Sequence, residues 1–129
     1  MIIKGKRLKS ALLAALADTD LQRMLDAAMY QSKSVNQIIK ETNISHTTAY
    51  RKIKWLLEEN LLIVDKIQIT EEGKKSSLFR TVLKSFNVKY EYNSVDIEAE
   101  KNIDTLRKVT QNFFSLEESS DTANVKKEK

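Results

Sequence analysis

The stretch "SVNQIIKETNISHTTAYRKIKWLLEEN", residues 34–60, constrains this chain more than any other. It contains two short apolar-periodic segments, each opened by a serine, with only a tight turn between them. Ser34 and Gln37 have the spacing of a capping box, in which the serine hydroxyl and the glutamine side chain satisfy backbone N–H groups reciprocally. Val35, Ile38 and Ile39 predict a short helix after that box, and Asn43, which tolerates left-handed backbone, ends it. Ser45 then caps a second helix running to about Glu59. At 100° per residue, Ala49, Ile53, Leu56 and Asn60 share one side of that helix. Thr47, Tyr50, Arg51, Lys54 and Glu58 share the other. The first side reads as core. The second offers hydroxyls, a phenol and cations over its first two turns, and an acid only at its last.

On the N-terminal side, residues 7–17 are rich in leucine and alanine, with Leu8, Leu12, Ala15 and Leu16 at helical spacing. "TDLQ", residues 19–22, has the form of another capping box. Leu21, Met24, Leu25, Ala28 and Met29 follow at the spacing of one buried helical face. On the C-terminal side the pattern turns to β. "LLIVDKIQIT" is rich in β-branched residues, and "EEGKK" is a polar turn around Gly73. "TEEGKKSSLFRTVLKSF" fits a strand, and also a capped helix through Leu78, Val82, Leu83 and Phe86. The strand is preferred, because residues 64–70 need an antiparallel partner.

From Lys84 onward, Phe86, Val88, Tyr90 and Tyr92 alternate with Ser85, Asn87, Lys89 and Glu91. Asn93-Ser94 reads as a two-residue hairpin turn, which sets Tyr90 opposite Ile97 and Lys89 opposite Glu98. Tyr90 and Tyr92 are expected to pack along this hairpin, and Trp55 against the strand that follows its helix. An amphipathic helix is expected within 101–116, with Ile103, Leu106, Val109, Thr110 and Phe113 on one face; that face could cover the chain's own core, and a dimer seam is the preferred expectation for it. Residues 117–129 lack periodicity and read as a disordered tail.

Composition removes most chemistry. The chain has no cysteine, a single histidine (His46) and two glycines, neither of them in a phosphate-cradling loop. Thiol catalysis, thiolate or His-rich metal sites and P-loops are therefore excluded, and no enzyme class fits. No cofactor or metal is expected. No apolar run approaches the ~18 residues of a membrane span, and the apolar stretch near the N-terminus is broken by Lys9 and Ser10. A cytoplasmic protein is the expectation.

The 129-residue chain carries a formal net charge of +4. Its cations are segmental: Lys4, Lys6, Arg7 and Lys9, then Arg51, Lys52 and Lys54, then Lys74 and Lys75. Acids gather at Glu58 and Glu59, at residues 96–100, and at Glu117 and Glu118. Such a balance suits a polyanion partner. The first cluster reads either as an arm touching phosphates or as a solubilising terminus.

Two short helices joined by a tight turn and followed by a hairpin have the order of a winged helix-turn-helix. The expected fold class is α+β, with an extended β-hairpin wing and flanking N- and C-terminal helices. Residues 1–17 form a basic helical extension in this reading, residues 18–100 the winged domain, 101–116 the C-terminal helix and 117–129 the tail. "SVNQIIKETNISHTTAYRKIKWLLEENLLIV" resembles the helix-turn-helix and wing entry of ArsR-type regulators, especially small archaeal ones. The resemblance rests on Ser34, Ile38, Ile44, Ser45, Thr48, Ala49, Arg51, Ile53, Leu56, Glu58, Leu61 and Leu62.

It implies a DNA-binding transcriptional regulator acting as a homodimer. The groove readers would be Ser45, His46, Thr47, Thr48, Tyr50, Arg51 and Lys54, and Lys74 and Lys75 would sit on the wing. Asn60 stands where the family usually has glycine, and the cysteine or histidine clusters of its metal-sensing branch are absent. The competing expectation is a winged helix used for protein contact within a multi-subunit assembly.

Overall fold

The computed structural model describes residues 1–102. Its elements in chain order are β1 (Ile2–Ile3), α1 (Lys6–Leu16), α2 (Thr19–Ala27), α3 (Val35–Thr42) and α4 (His46–Glu58), then β2 (Leu62–Ile69), β3 (Lys75–Thr81), β4 (Leu83–Glu91) and β5 (Ser94–Lys101). The fold is α+β, with antiparallel strands in two sheets ordered β1-β5-β4 and β2-β3. Lys101 closes β5 instead of opening a helix. The remainder of the expected C-terminal helix, 103–116, and the tail 117–129 lie outside the described residues.

Local chemistry sets the helix ends. The Ser34 hydroxyl accepts the Gln37 N–H at 3.2 Å, and the Gln37 side chain accepts the Ser34 N–H at 2.8 Å, so the expected capping box is formed. Asn43 is left-handed at φ 60 and ends α3. At the far end of α4, Asn60 is also left-handed, at φ 62. The Asn60 N–H reaches Leu57 O at 3.1 Å and the Leu61 N–H reaches Leu56 O at 2.9 Å, a Schellman closure. Asn60 therefore lies outside the helix and exposed, not on its core face.

The cap of α2 is Asp18, one residue before the expected threonine. Its carboxylate accepts the Leu21 N–H at 3.1 Å and leaves Thr19 as the first helical residue. The stronger anionic acceptor lies one position upstream, where the backbone is still extended.

One core joins all the helices to both sheets. Ile3, Leu12, Met24, Ile38, Leu56 and Ile97 are buried in a single cluster. Residues 1–17 are thus part of this core. Ile3 pairs with Ile97 across β1 and β5. Arg7 holds Glu59 through two bonds of 2.9 and 3.0 Å, joining the start of α1 to the end of α4. Lys9 donates to Val95 O at 3.0 Å. The N-terminal cations are thereby partly spent on the fold. On α1, Leu12 and Ala15 are buried with Ala11, but Leu16 remains 48% exposed.

The segment that fits either helix or strand is strand: β3 pairs with β2 from Leu62–Thr81 to Ile69–Lys75. Lys33 forms a further bridge to Phe79, with N–H···O distances of 2.9 and 2.7 Å. The β4–β5 register differs from the expected one by two residues. Tyr90 faces Val95, Lys89 faces Asp96 and Val88 faces Ile97, so the turn is Tyr92-Asn93. Asn93 takes φ 56 at the second loop position, where asparagine tolerates left-handed backbone, and the same geometry shifted by one residue would put Ser94 there. A shift of two keeps every side chain on its own face. Tyr90 and Tyr92 are 75% and 91% exposed, because the hairpin carries them past the core.

Candidate nucleic-acid interface

The candidate surface is built on α4. Ser45 is its N-cap, and the hydroxyl accepts the Thr48 N–H at 3.4 Å. Ala49, Ile53 and Leu56 are buried on the inner side, which turns the opposite side outward. His46, Thr47, Tyr50, Arg51 and Lys54 are exposed, Tyr50 at 55%, and Thr48 is half-exposed. The helix therefore brings these residues together on or beside one outward strip.

The three cations of this stretch have different surroundings. The Lys52 ammonium lies 2.6 Å from the Asp18 carboxylate and 3.5 Å from that of Asp20. This hydrogen bond, opposed by partial burial and helped by the Leu21 N–H, holds the Asp18 carboxyl below the usual carboxylate range. Arg51 and Lys54 make no ion pair or hydrogen bond through their side chains among the described residues. Lys52 is thus an anchor for the start of α2. Arg51 and Lys54 stay available.

The pair that joins the start of α1 to the end of α4 behaves as the Lys52–Asp18 pair does. Glu59 is held below its usual range by the hydrogen bond from Arg7, with partial burial opposing, and Arg7 is raised in turn by that same bond. Trp55 is half-buried and lines a groove with Ala14, Asp18 and Leu21, on the side of α4 that faces α1 and α2.

Lys74 and Lys75 are exposed at the end of the β2–β3 hairpin. The turn closes through Thr70 N–H to Lys74 O at 2.8 Å, Gly73 N–H to Thr70 O at 2.9 Å and Lys74 N–H to Thr70 Oγ1 at 3.0 Å. Gly73 takes φ 81, a conformation that glycine adopts without steric cost. At ~3.3 Å per residue, β2 carries this tip roughly 25 Å along the strand from the end of α4. Lys74 and Lys75 are therefore a second patch, held on a different element from the α4 strip. Glu71 and Glu72 are exposed beside them, so the tip is mixed in charge.

Sequence reading missed Lys66, an exposed cation on β2, because it placed the hairpin's charge only at the turn. Strand alternation alone could have found it, since Lys66 and Gln68 share a face. Ile67 and Ile69 share the other face and are also exposed.

Among the described residues no group of three or more His, Cys, Asp or Glu gathers as a metal site, and no helix is long and apolar enough to cross a membrane. No family model, curated protein or solved structure matches this chain.

Proposed function

We propose that the chain is a sequence-specific DNA-binding transcriptional regulator of the cytoplasm, in which α2–α4 and the β2–β3 hairpin form a winged helix-turn-helix. The observation that carries this reading is the selective use of cations on α4. Lys52 is tied to Asp18 and Asp20, while Arg51 and Lys54 stand outward beside Thr47 and Tyr50 with no partner among the described residues. The order of elements and the residues at the α3–α4 turn support a place beside the ArsR-type regulators.

In this reading the first turns of α4 enter the major groove. The helix N-terminus carries partial positive charge and favours phosphate. Arg51 takes guanine O6 and N7 bidentately or grips a phosphate, and Thr47 and Thr48 bond a base edge or the backbone. Tyr50 packs on a thymine methyl or donates to phosphate. Lys54, a turn further on, holds the backbone, and His46 contacts the nearest base or phosphate. Ser45 fixes the helix start, since its hydroxyl is already used by the Thr48 N–H. Lys74 and Lys75, joined by Lys66, lie along the flanking phosphates. A homodimer would set two such helices about one DNA turn apart, roughly 34 Å.

A second reading, contact with a protein partner, draws on Val64, Ile67 and Ile69, exposed apolar residues of an edge strand. Such an edge is a template for pairing with another chain. Selection of fragments from random duplex DNA by the full chain separates the two. An enriched near-palindrome is expected, and Arg51→Ala should weaken its binding by about 1–3 kcal/mol. No enrichment, together with an affinity for DNA that ignores salt, would give the protein reading instead.

A further inference from the structure

A groove of about 300 Å³ opens between α1, α2 and the start of β4. Its floor is apolar, formed by Leu12, Leu16, Leu25, Met29, Leu83 and Phe86, and Gln22, Asp26 and Lys84 stand at its rim. Among these, Leu16 shares the helical spacing of Leu12 and Ala15 and is 48% exposed. The described chain ends beside this floor. The Asn102 N–H donates to Val82 O at 3.0 Å, and its side-chain amide donates to Met29 O at 2.9 Å and to Thr81 Oγ1 at 3.1 Å. Met29 lines the groove, and Val82 directly precedes Leu83. Asn102 is itself buried, so the point of departure is fixed.

We propose that this groove is the seat of the chain's own next segment, residues 103–113, with the apolar stripe Ile103, Leu106, Val109 and Phe113 laid on Leu16, Leu25, Leu83 and Phe86. Ile103 follows Asn102 without a linker, so the stripe begins where the floor begins. Tethering at the groove's edge gives this segment an effective concentration in the millimolar range, above that of a separate molecule such as a second copy or a small apolar ligand. The inference stands independently of what α4 binds.

The chain has no cysteine, so paired cysteines report cleanly. Leu16→Cys is combined in turn with Ile103→Cys, Leu106→Cys, Val109→Cys and Phe113→Cys in the full chain, oxidised, and read on non-reducing gels and by peptide mapping. At least one pair is expected to link within a monomer-sized species. Dimer-sized links would assign the groove to a second copy, and no link in any pair would overturn the proposal. A second variant, Leu16→Asp, reads the same contact without oxidation. If the leucine is covered, the thermal midpoint falls by more than about 5 °C and cleavage by trypsin after Arg107 and Lys108 accelerates. An unchanged midpoint, as for an exposed leucine over an empty groove, would contradict the proposal.

Discussion

Among the described residues, the two long hairpins β2–β3 and β4–β5 use their apolar side chains in opposite ways. On β4–β5, Ile97 and Ala99 are buried and Phe86, Val88 and Val95 pack against the core, while β1 adds a third strand along β5. On β2–β3, burial is confined to the half nearest the helices, at Leu62, Asp65, Phe79 and Thr81. Beyond it, Lys66, Ile67, Gln68 and Ile69 are all exposed. Two strands alone are marginal in water, so the inner half must hold the outer one. Lys33 does part of this through its bridge to Phe79, and Ser32 bonds the Asp65 carboxylate at the same level. One hairpin is scaffold. The other is anchored at its base and offers its outer half as surface.

The largest expected effect tests that contrast on stability. Ile97→Ala, at a fully buried position, should cost about 2–5 kcal/mol in denaturant unfolding. Ile67→Ala, on the exposed half of β2, should stay within about 0.5 kcal/mol of the parent. Equal losses would mean that the outer half of β2–β3 is covered, and the contrast would fail.

The next effect sharpens the contrast on binding. Replacing Lys74 and Lys75 together with alanine should leave the unfolding midpoint unchanged and lower the slope of log K against log salt by about 2 on duplex DNA. An unchanged slope would take the hairpin tip out of the interface. The same change made at Lys89, on the scaffold hairpin and within 3.2 Å of Glu91, should not alter the slope.

The smallest effect concerns Lys52, the α4 cation that the fold uses for itself. The folded Asp18 carboxyl lies below its unfolded value of about 4, mainly through the Lys52 hydrogen bond. Its contribution is therefore present above pH ~4 and is lost as pH falls through the depressed folded value. Asp18→Asn keeps a good N-cap and removes the charge. It should cost under about 1 kcal/mol at pH 7, since the pair is partly exposed, and the two stability curves should converge on acidification. Parallel curves down to pH 2 would show that Lys52 gains nothing from this partner.

Much of this architecture was legible in the sequence where the determinants are local. Ser34 with Gln37, Asn43 and Ser45 mark the limits of α3 and the start of α4, because caps act within a few residues. The β4–β5 turn was read one residue late, since both placements offer an asparagine and only the backbone says which loop position takes the positive φ. β1 was missed, because two residues carry no periodicity.

Within the candidate site, the outward side of α4 followed from helical geometry alone. The separate fate of Lys52 did not, because Asp18 is 34 residues away in sequence. Leu16 has the spacing of a core residue, and no described element covers it.

The most direct test of the central claim is amide chemical-shift mapping as the selected duplex is titrated into the labelled full chain. The largest changes are predicted at residues 45–54, with a second set at residues 70–75. Changes confined to β4 and β5, or none at saturating duplex and moderate salt, would contradict the assignment of α4 as the DNA reader.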